Sequence, residues 1–197
     1  MNNPPAEESL DPADWEAMRR LAHQAIDDGF DHLQHVRERP VWQPVPDRMA
    51  ARLREPAPRL PQGAEFAYRE FKEIVMPYSM GNTHPRFWSW FMGNGTPFAA
   101  VGDFLAAVLN PNMGGGNHVP NHVEAQVVDW CKEIAGFPVE SSGLLVSGGS
   151  MANFVGLAVA RNSRAGVDVR AEGVAAIPRT LMTYASVEVH SCVQKAI

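Results

Sequence analysis

Two short segments of the chain combine residue types and spacing that could carry chemistry. In the first, residues 147–150 (SGGS) join an apolar run to a second apolar stretch with helical character. In the second, His190 follows the apolar segment 180–186 (TLMTYAS). A glycine-rich turn at the start of a helix presents backbone N–H groups at the positive end of the helix dipole, which favours an anion. The turn therefore predicts a phosphate site.

The turn departs from two well-known phosphate-binding patterns. A Walker loop carries a lysine after its final glycine, and a dinucleotide fingerprint carries three spaced glycines. Neither pattern is present, so nucleoside triphosphates and NAD are disfavoured. Glycines that serve only the backbone geometry of a strand-to-helix turn are the open alternative. Ser150 supports the anion interpretation, because a hydroxyl at the N-cap position could bind helix N–H groups or an anion.

Three histidines are candidates for a functional site, and His190 is a stronger candidate than His118 and His122. His190 follows a predicted strand, at the edge where open α/β sheets hold ligands, although an ordinary packed or exposed histidine is the alternative. His118 and His122 are spaced i and i+4 with Glu124 nearby. Pro120 lies between them and no HExxH pattern occurs, so we predict no metal site.

Aromatic side chains crowd residues 87–98, between a proline-rich segment and a glycine-rich one. Aromatic residues usually build a core. The alternative is a pocket wall for a flat apolar group.

The composition of the chain indicates which classes of binding partner to expect and in which cellular compartment the protein lies. The 197 residues carry a net charge of -5 and no dense basic block, so we expect neither nucleic acid nor anionic lipid as a partner. The longest apolar stretch, 97–109, is too short to span a membrane. The acidic start, MNNPPAEESLDPADW, has no apolar region typical of a secretion signal. Two cysteines without metal spacing indicate buried thiols in a reducing cytoplasm.

Helical and extended patterns alternate in the second half of the chain. Before them, Asp11 and Pro12 predict the start of an amphipathic helix that ends before Pro40, followed by a proline-rich arm with a short helix at DRMAARL. Further helices are predicted from the pattern around Phe66, and over 97–109 and about 119–134. Strands at 144–146 and 180–186, each followed by a helix, predict an α/β domain with a parallel sheet. Two strands need neighbours to bury both faces, so we expect something to complete the sheet.

Four segments, in this order and at these spacings, resemble the pyridoxal-phosphate-dependent group II amino acid decarboxylases, the family of aromatic L-amino acid decarboxylase. They are THPRFWSWF, VEAQVVDWCKEIAGFP, LLVSGGSMANFVGLAVARN and TYASVEVHSCVQKA, and the likeness runs from about Trp15 to the last residue. Its strongest parts are the GGSMAN turn and the H-S-x-V-x-K-A segment. The proline-rich RPVWQPVPDRM is similar to the N-terminal arm of the family.

The resemblance implies a fold-type-I, pyridoxal-phosphate-dependent transferase-like fold and a homodimer with exchanged N-terminal arms. Residues 1–83 would form the helical and proline-rich dimerisation arm, and 84–197 the first part of the large parallel-sheet domain that binds the cofactor. Gly149 and Ser150 would hold the phosphate of pyridoxal 5'-phosphate, and His190 would be the catalytic residue that stacks on its ring. Trp90 and Phe91 match positions that line the substrate pocket in the family.

The implied activity is decarboxylation of an L-amino acid to the amine and carbon dioxide. The aromatic wall favours an aromatic substrate, whereas Arg86 beside it leaves an acidic substrate open, and an aldehyde product is open too.

The family's Schiff-base lysine, and the aspartate that pairs with the pyridine nitrogen, lie downstream of the His190 segment, and the chain ends first, at Ile197 inside an apparent helix. Lys195 matches an ordinary helix position. Two hypotheses follow: an N-terminal piece of a decarboxylase whose C-terminal complement carries the lysine, or a non-catalytic dimerising fragment or pseudo-enzyme. Both predict that this chain alone is inactive.

Overall fold

The computed structural model describes residues 11–197, which form two compact units, with the boundary in the chain between Asn110 and Pro111. The segment before residue 11, which contributes to the expectation of no secretion signal, lies outside the described residues. Among the helices described, none is long and apolar enough to cross a membrane.

The described part of the N-terminal unit, residues 11–110, contains four α-helices. They are α1 (Trp15–Gln34), α2 (Asp47–Arg52), α3 (Ala64–Glu70) and α4 (Pro97–Leu109). A 3-10 turn, Val36–Glu38, follows α1, and a π-helical turn, Phe71–Val75, extends α3 before a second 3-10 turn, Met76–Tyr78. α1 packs against α3, which brings the long first helix onto the end of the proline-rich segment.

The C-terminal unit contains four more α-helices. They are α5 (Val119–Ala135), α6 (Gly149–Arg164), α7 (Val169–Glu172) and α8 (Ser191–Ala196), with a 3-10 turn at Val174–Ala176. The main packing between helices in this unit is that of α6 on α8. Cys192 on α8 is buried, and so is Ala165 at the end of α6. The longest helix after the glycine-rich turn is thus fixed to the helix that follows His190.

Helix ends follow the capping signals in the sequence. The Thr96 hydroxyl accepts from the N–H of Ala99 at the start of α4, and Gly136 ends α5 in the left-handed conformation, with φ 69°. The expected start of α1 at Asp11 and Pro12 is wrong by three residues. Asp14 Oδ1 accepts from two N–H groups of the first turn and makes Asp14 the N-cap instead.

The two predicted strands do not form within residues 11–197. Residues 144–146 and 180–186 are irregular, and Leu144 and Tyr184 are exposed rather than buried. A strand is held by the backbone hydrogen bonds of a neighbouring strand, and neither segment has such a neighbour among the described residues. This corrects the prediction of two buried strands; the parallel sheet itself stays a prediction.

Apolar surface is abundant in both units. Although 45% of the residues are hydrophobic, the described apolar residues that are buried are Ile74, Ala165 and Cys192. Large side chains such as Trp88, at 90% exposure, and Phe98, at 84%, face outward. Exposed apolar area of this extent is typical of surfaces that other protein segments cover.

A polar network ties α1 to α3 and its π-helical extension. The Tyr68 hydroxyl donates to the carboxylate of Asp28, and Lys72 Nζ lies 2.7 Å from Asp28 Oδ2. Hydrogen bonds from Lys72 and Tyr68 lower the pKa of Asp28. Burial, together with the hydrogen bond to Asp28, raises the pKa of Tyr68 to about 12. The Asp28 carboxylate of α1 is thus held by one side chain of α3 and one of its π-helical extension.

The backbone at Gly81 approaches the backbone of Val41, at the start of the proline-rich segment, closely. Its φ is 81°, and a Cβ built on it would lie 1.7 Å from the carbonyl oxygen of Val41. A left-handed φ already disfavours any side chain, and a collision with backbone adds to that cost. Glycine is therefore required at this position by conformation and by space.

We predict that Gly81→Ala destabilises the N-terminal unit by more than the roughly 1–3 kcal/mol that strained backbone alone costs. Gly63→Ala is the matched control, because Gly63 has φ 83° but no atom within 4 Å of a Cβ. Urea unfolding of the full chain followed by circular dichroism gives both free energies of unfolding. Equal losses for the two variants would show that the contact with Val41 does not matter.

Candidate functional site

The glycine turn leaves the start of α6 without an internal cap. Gly148 is the N-cap residue with φ 91°, and it has no side chain to accept a hydrogen bond. The first backbone hydrogen bond into the turn runs from the Ala152 N–H to the Gly148 oxygen, at 3.2 Å. The N–H groups of residues 149–151 therefore have no acceptor within the described chain. Uncapped N–H groups at the positive end of a 16-residue helix are suited to an anion.

The space around this turn is open. A Cβ built on Gly148 or on Gly149 would meet no atom within 4 Å. Ser150 is the second residue of α6 and not its N-cap, which corrects the sequence interpretation, and its hydroxyl has no hydrogen-bond partner in the described residues. The geometry fits a phosphate, which could approach the backbone without meeting protein atoms and would supply the missing acceptors.

His190 stands at the start of α8 and caps that helix. Its Nδ1 accepts from the N–H of Cys192 at 3.2 Å, so the neutral ring carries its proton on Nε2. The imidazole is exposed and lines a cleft of about 180 Å³. The other residues lining this cleft are Ser150, Phe154, Ser191, Cys192, Lys195 and Ala196. The structure thus brings two sequence-predicted site residues, Ser150 and His190, to one cleft.

Asn153 connects the two helices that form this cleft. Its Nδ2 donates to the Gly149 oxygen at 2.9 Å and lies 3.5 Å from the sulfur of Cys192. One amide thereby links the first turn of α6 to the residue whose N–H is held by His190. Asn153 was not predicted as a site residue, although its position four residues after Gly149 places it on the same helix face.

Lys195 lines the cleft as well. Its sequence position suggested an ordinary helix residue, whereas the structure places its ammonium-bearing side chain on the same cleft as Ser150. No acidic side chain lines the cleft. The formal charge of the cleft therefore favours an anionic ligand.

Trp90 and Phe91 belong to the N-terminal unit and do not line this cleft. The Trp90 ring lies 6.0 Å from the ring of Phe87 at an angle of 48°, in a groove of about 470 Å³. Phe91 is fully exposed. Both side chains are thus accessible rather than part of a packed core, and their place in a substrate pocket stays a prediction.

The remaining histidines considered as metal ligands are held by ordinary hydrogen bonds, and the two cysteines are free thiols. His118 Nε2 lies 3.0 Å from the Asn112 oxygen, and His122 Nε2 lies 3.1 Å from Asn117 Oδ1, which ties both rings to the glycine-rich connection. Within residues 11–197, no group of three or more His, Cys, Asp or Glu side chains is placed to hold a metal. Both cysteines are free; Cys192 is buried as expected, whereas Cys131 is exposed.

Comparison with known proteins identifies the chain's family. The model of the pyridoxal-dependent decarboxylase conserved domain matches residues 46–197, which include the glycine turn and His190. The chain belongs to the pyridoxal-dependent decarboxylase family, which confirms the resemblance seen in the sequence.

Curated relatives carry aromatic amino acid decarboxylase names. The chain is 29% identical to an aromatic-L-amino-acid decarboxylase of Bacillus atrophaeus, over 92% of this chain and 37% of that protein. It is 26% identical to tyrosine decarboxylase 2 of Narcissus pseudonarcissus and 27% identical to tryptophan decarboxylase 2 of Oryza sativa subsp. japonica, over 96% of this chain and 39% of each relative. The chain thus spans less than two fifths of the length of these relatives.

Solved structures show the same fold. The crystal structure of Oryza sativa TDC with PLP matches with a TM-score of 0.75 at 24% identity, over 95% of this chain and 42% of that one. The Rhodiola rosea 4-hydroxyphenylacetaldehyde synthase matches with a TM-score of 0.74 at 21% identity, over 94% of this chain and 41% of that one. These matches confirm the predicted likeness to pyridoxal-phosphate-dependent decarboxylase folds. The predicted parallel sheet is not confirmed, because the described residues form no strand.

We predict that Asn153→Ala loosens the contact between α6 and α8, because the amide that links Gly149 to Cys192 is lost. The measurement is the rate of iodoacetamide labelling at each cysteine, read by mass spectrometry. In the parent chain Cys131 should label rapidly and Cys192 slowly, because Cys131 is exposed and Cys192 is 8% exposed. Labelling of Cys192 should accelerate several-fold in Asn153→Ala.

Asn162→Ala is the control, because Asn162 lies on the same helix and hydrogen-bonds only its neighbour Arg161 among the contacts described. An unchanged labelling rate at Cys192 in Asn153→Ala, or the same increase in both variants, would show that Asn153 does not hold the two helices together.

Proposed function

We propose that this chain is the N-terminal part of a pyridoxal-phosphate-dependent decarboxylase that acts on aromatic L-amino acids and releases the amine and carbon dioxide. The observation that carries the proposal is the uncapped start of α6, where Ser150 lines the same cleft as His190. The chain that holds this cleft belongs to the pyridoxal-dependent decarboxylase family. The names of the relatives support an aromatic substrate.

The residues of the cleft fit the cofactor's phosphate and ring. Backbone N–H groups at Gly149 and Ser150 would bind the phosphate oxygens, and the absence of a side chain on Gly149 lets the anion reach the backbone. His190, held at Nδ1 by the Cys192 N–H, would lie against the pyridine ring. When bound, pyridoxal phosphate supplies the electron sink that lets the substrate lose its carboxyl group.

Trp90 and Phe91 are proposed as substrate-pocket residues. Both are exposed, and flat apolar surfaces of this kind complement an aromatic side chain. The distinction between amine and aldehyde products stays open, since one structural neighbour is titled a 4-hydroxyphenylacetaldehyde synthase.

The proposed assembly is a cytoplasmic homodimer with exchanged N-terminal arms, completed by a C-terminal part that carries the Schiff-base lysine. Two observations support it: the extent of exposed apolar surface in the described residues, and the coverage of less than two fifths of the relatives. The alternative function, a non-catalytic dimerising fragment or pseudo-enzyme, rests on the same coverage.

The test of the proposed function compares the 197-residue chain alone with the chain supplemented by a polypeptide matching the remaining length of the relatives. Each sample is incubated with pyridoxal phosphate, reduced with borohydride, examined for a covalent adduct by mass, and assayed for carbon dioxide release from tyrosine and tryptophan. We expect an adduct and turnover only with the supplement. Turnover and a site-specific adduct in the chain alone would contradict the placement of the lysine, and inactivity in both samples would favour the non-catalytic alternative.

We predict that Gly149→Val weakens pyridoxal phosphate binding at least tenfold in the completed enzyme. A Cβ at Gly149 meets no atom within 4 Å outside its own helix backbone, and the branched side chain of valine would occupy the space where the anion must approach the backbone. Fluorescence titration with the cofactor gives the dissociation constant. Gly156→Val, on the same helix and also without an atom within 4 Å of its Cβ, should retain the parent affinity. Parent affinity in Gly149→Val would refute the phosphate assignment.

We predict that replacing His190 lowers kcat of the completed enzyme by at least a hundredfold, because the ring positions the cofactor. His190 also caps α8, so two variants separate the roles. Asn retains an acceptor suited to the N-cap position, and Ala does not. Both His190→Asn and His190→Ala should lose turnover, while only His190→Ala loses measurable stability. Full activity in His190→Asn would show that capping is the residue's sole contribution.

A further inference from the structure

A second pocket lies in the N-terminal unit, apart from the residues of the α6 cleft. It has a volume of about 120 Å³ and is formed by the end of α1, the start of the proline-rich segment and residues 76–84. Its polar lining consists of His32, Arg39, Gln43, Ser79, Thr83 and His84, and no acidic residue contributes. We call it the Arg39 pocket. It is large enough for a small molecule of a few heavy atoms rather than a single water.

His84 contributes a buried donor without a partner. The residue is 3% exposed, and its Nδ1 accepts from the N–H of Arg86 at 3.0 Å. The proton of the neutral ring therefore lies on Nε2, which is buried and has no hydrogen-bond partner in the structure. Buried donors are nearly always paired in folded proteins, so this N–H indicates an acceptor that the chain itself does not supply.

Arg39 contributes a positive charge that no described carboxylate neutralises. Its Nη1 donates to His32 Nδ1 at 2.7 Å. Burial, and then the charge of Arg39, lower the pKa of His32, which keeps that ring neutral and able to accept. The adjacent carboxylate of Glu38 pairs with His35 at 3.2 Å instead. The guanidinium thus keeps donors free for a ligand.

The chemistry of the lining selects the ligand. Gln43 is already used, because its amide donates to the Pro77 oxygen at 2.8 Å. What the pocket offers is a guanidinium fork and a buried imidazole N–H, without a carboxylate to compete for them. Planar or tetrahedral oxyanions are the groups that such donors bind best. A neutral ligand would use neither the charge of Arg39 nor its fork of donors.

We propose that the Arg39 pocket binds a small oxyanion, a carboxylate or a phosphate, held by the Arg39 guanidinium and the His84 Nε2–H. The proposal is independent of the decarboxylase function, because every residue it uses lies in the N-terminal unit and none belongs to the α6 cleft. It adds an anion site for which the family comparison gives no role.

The test is isothermal titration calorimetry of the full chain against sodium phosphate and sodium acetate at constant ionic strength, and substitution of Arg39 separates binding in this pocket from binding at the start of α6. The two anions distinguish a phosphate ligand from a carboxylate ligand. We expect saturable binding of at least one, a loss of at least tenfold in affinity in Arg39→Gln, and an intermediate loss in Arg39→Lys, which keeps the charge but not the fork. Arg37→Gln is the control, because Arg37 is exposed as Arg39 is, but does not line the pocket.

Nitrogen NMR of the histidine side chains gives a second, site-specific readout. At the anion concentration that gives half-saturation of the parent, the His84 Nε2–H resonance should shift in the parent and in Arg37→Gln, and shift far less in Arg39→Gln. The absence of saturable binding, an equal loss of affinity in Arg37→Gln, or an unmoved His84 resonance would each overturn the proposal. If Arg39→Gln alters the circular dichroism spectrum, the comparison of Arg39→Lys with Arg37→Gln decides the outcome.

Discussion

The candidate site depends on the unfilled hydrogen-bonding capacity of the first turn of α6. A helix must find acceptors for its first N–H groups, and this one begins after two glycines that provide none from side chains. The same lack of side chains opens the space that an external acceptor would need. The Asn153 side chain then contacts both Gly149 in this turn and Cys192 in α8. These two contacts fix the position of the glycine turn relative to His190. The chemistry proposed for the cleft requires that relation, because a ligand held at one end must meet the imidazole at the other.

A second constraint is that many apolar and extended segments among the described residues have no packing or hydrogen-bonding partner. Residues 144–146 and 180–186 have the composition of strands, but a strand exists only as part of a ladder. Exposed aromatic groups in the N-terminal unit and exposed leucines before the glycine turn are in the same situation. Local helices form because their hydrogen bonds close within a few residues, whereas the sheet would need residues distant in sequence or on another chain.

The sequence predicted what local rules control. Thr96 and Pro97 predicted the start of α4, and Gly136 predicted the end of α5, because capping depends on a few adjacent residues. The strands could not be verified, since pairing is not a local property. Ser150 was predicted as the N-cap of α6, whereas the N-cap is Gly148, two residues earlier. Asn153, Lys195 and the pair formed by Arg39 and His84 could not be found from sequence, because their significance lies in which distant atoms they meet or fail to meet.

The start of α8 bears on how tightly the cleft can hold a ligand. The first N–H groups of a helix have no acceptor within the helix, and the start of α8 depends on the His190 side chain, which accepts from the Cys192 N–H, and on burial of Cys192. Any ligand that restrains the imidazole also restrains this helix, and the conformational entropy lost by α8 is then subtracted from the free energy of binding. Substitutions that order α8 in advance would therefore increase affinity without adding a single contact to the ligand.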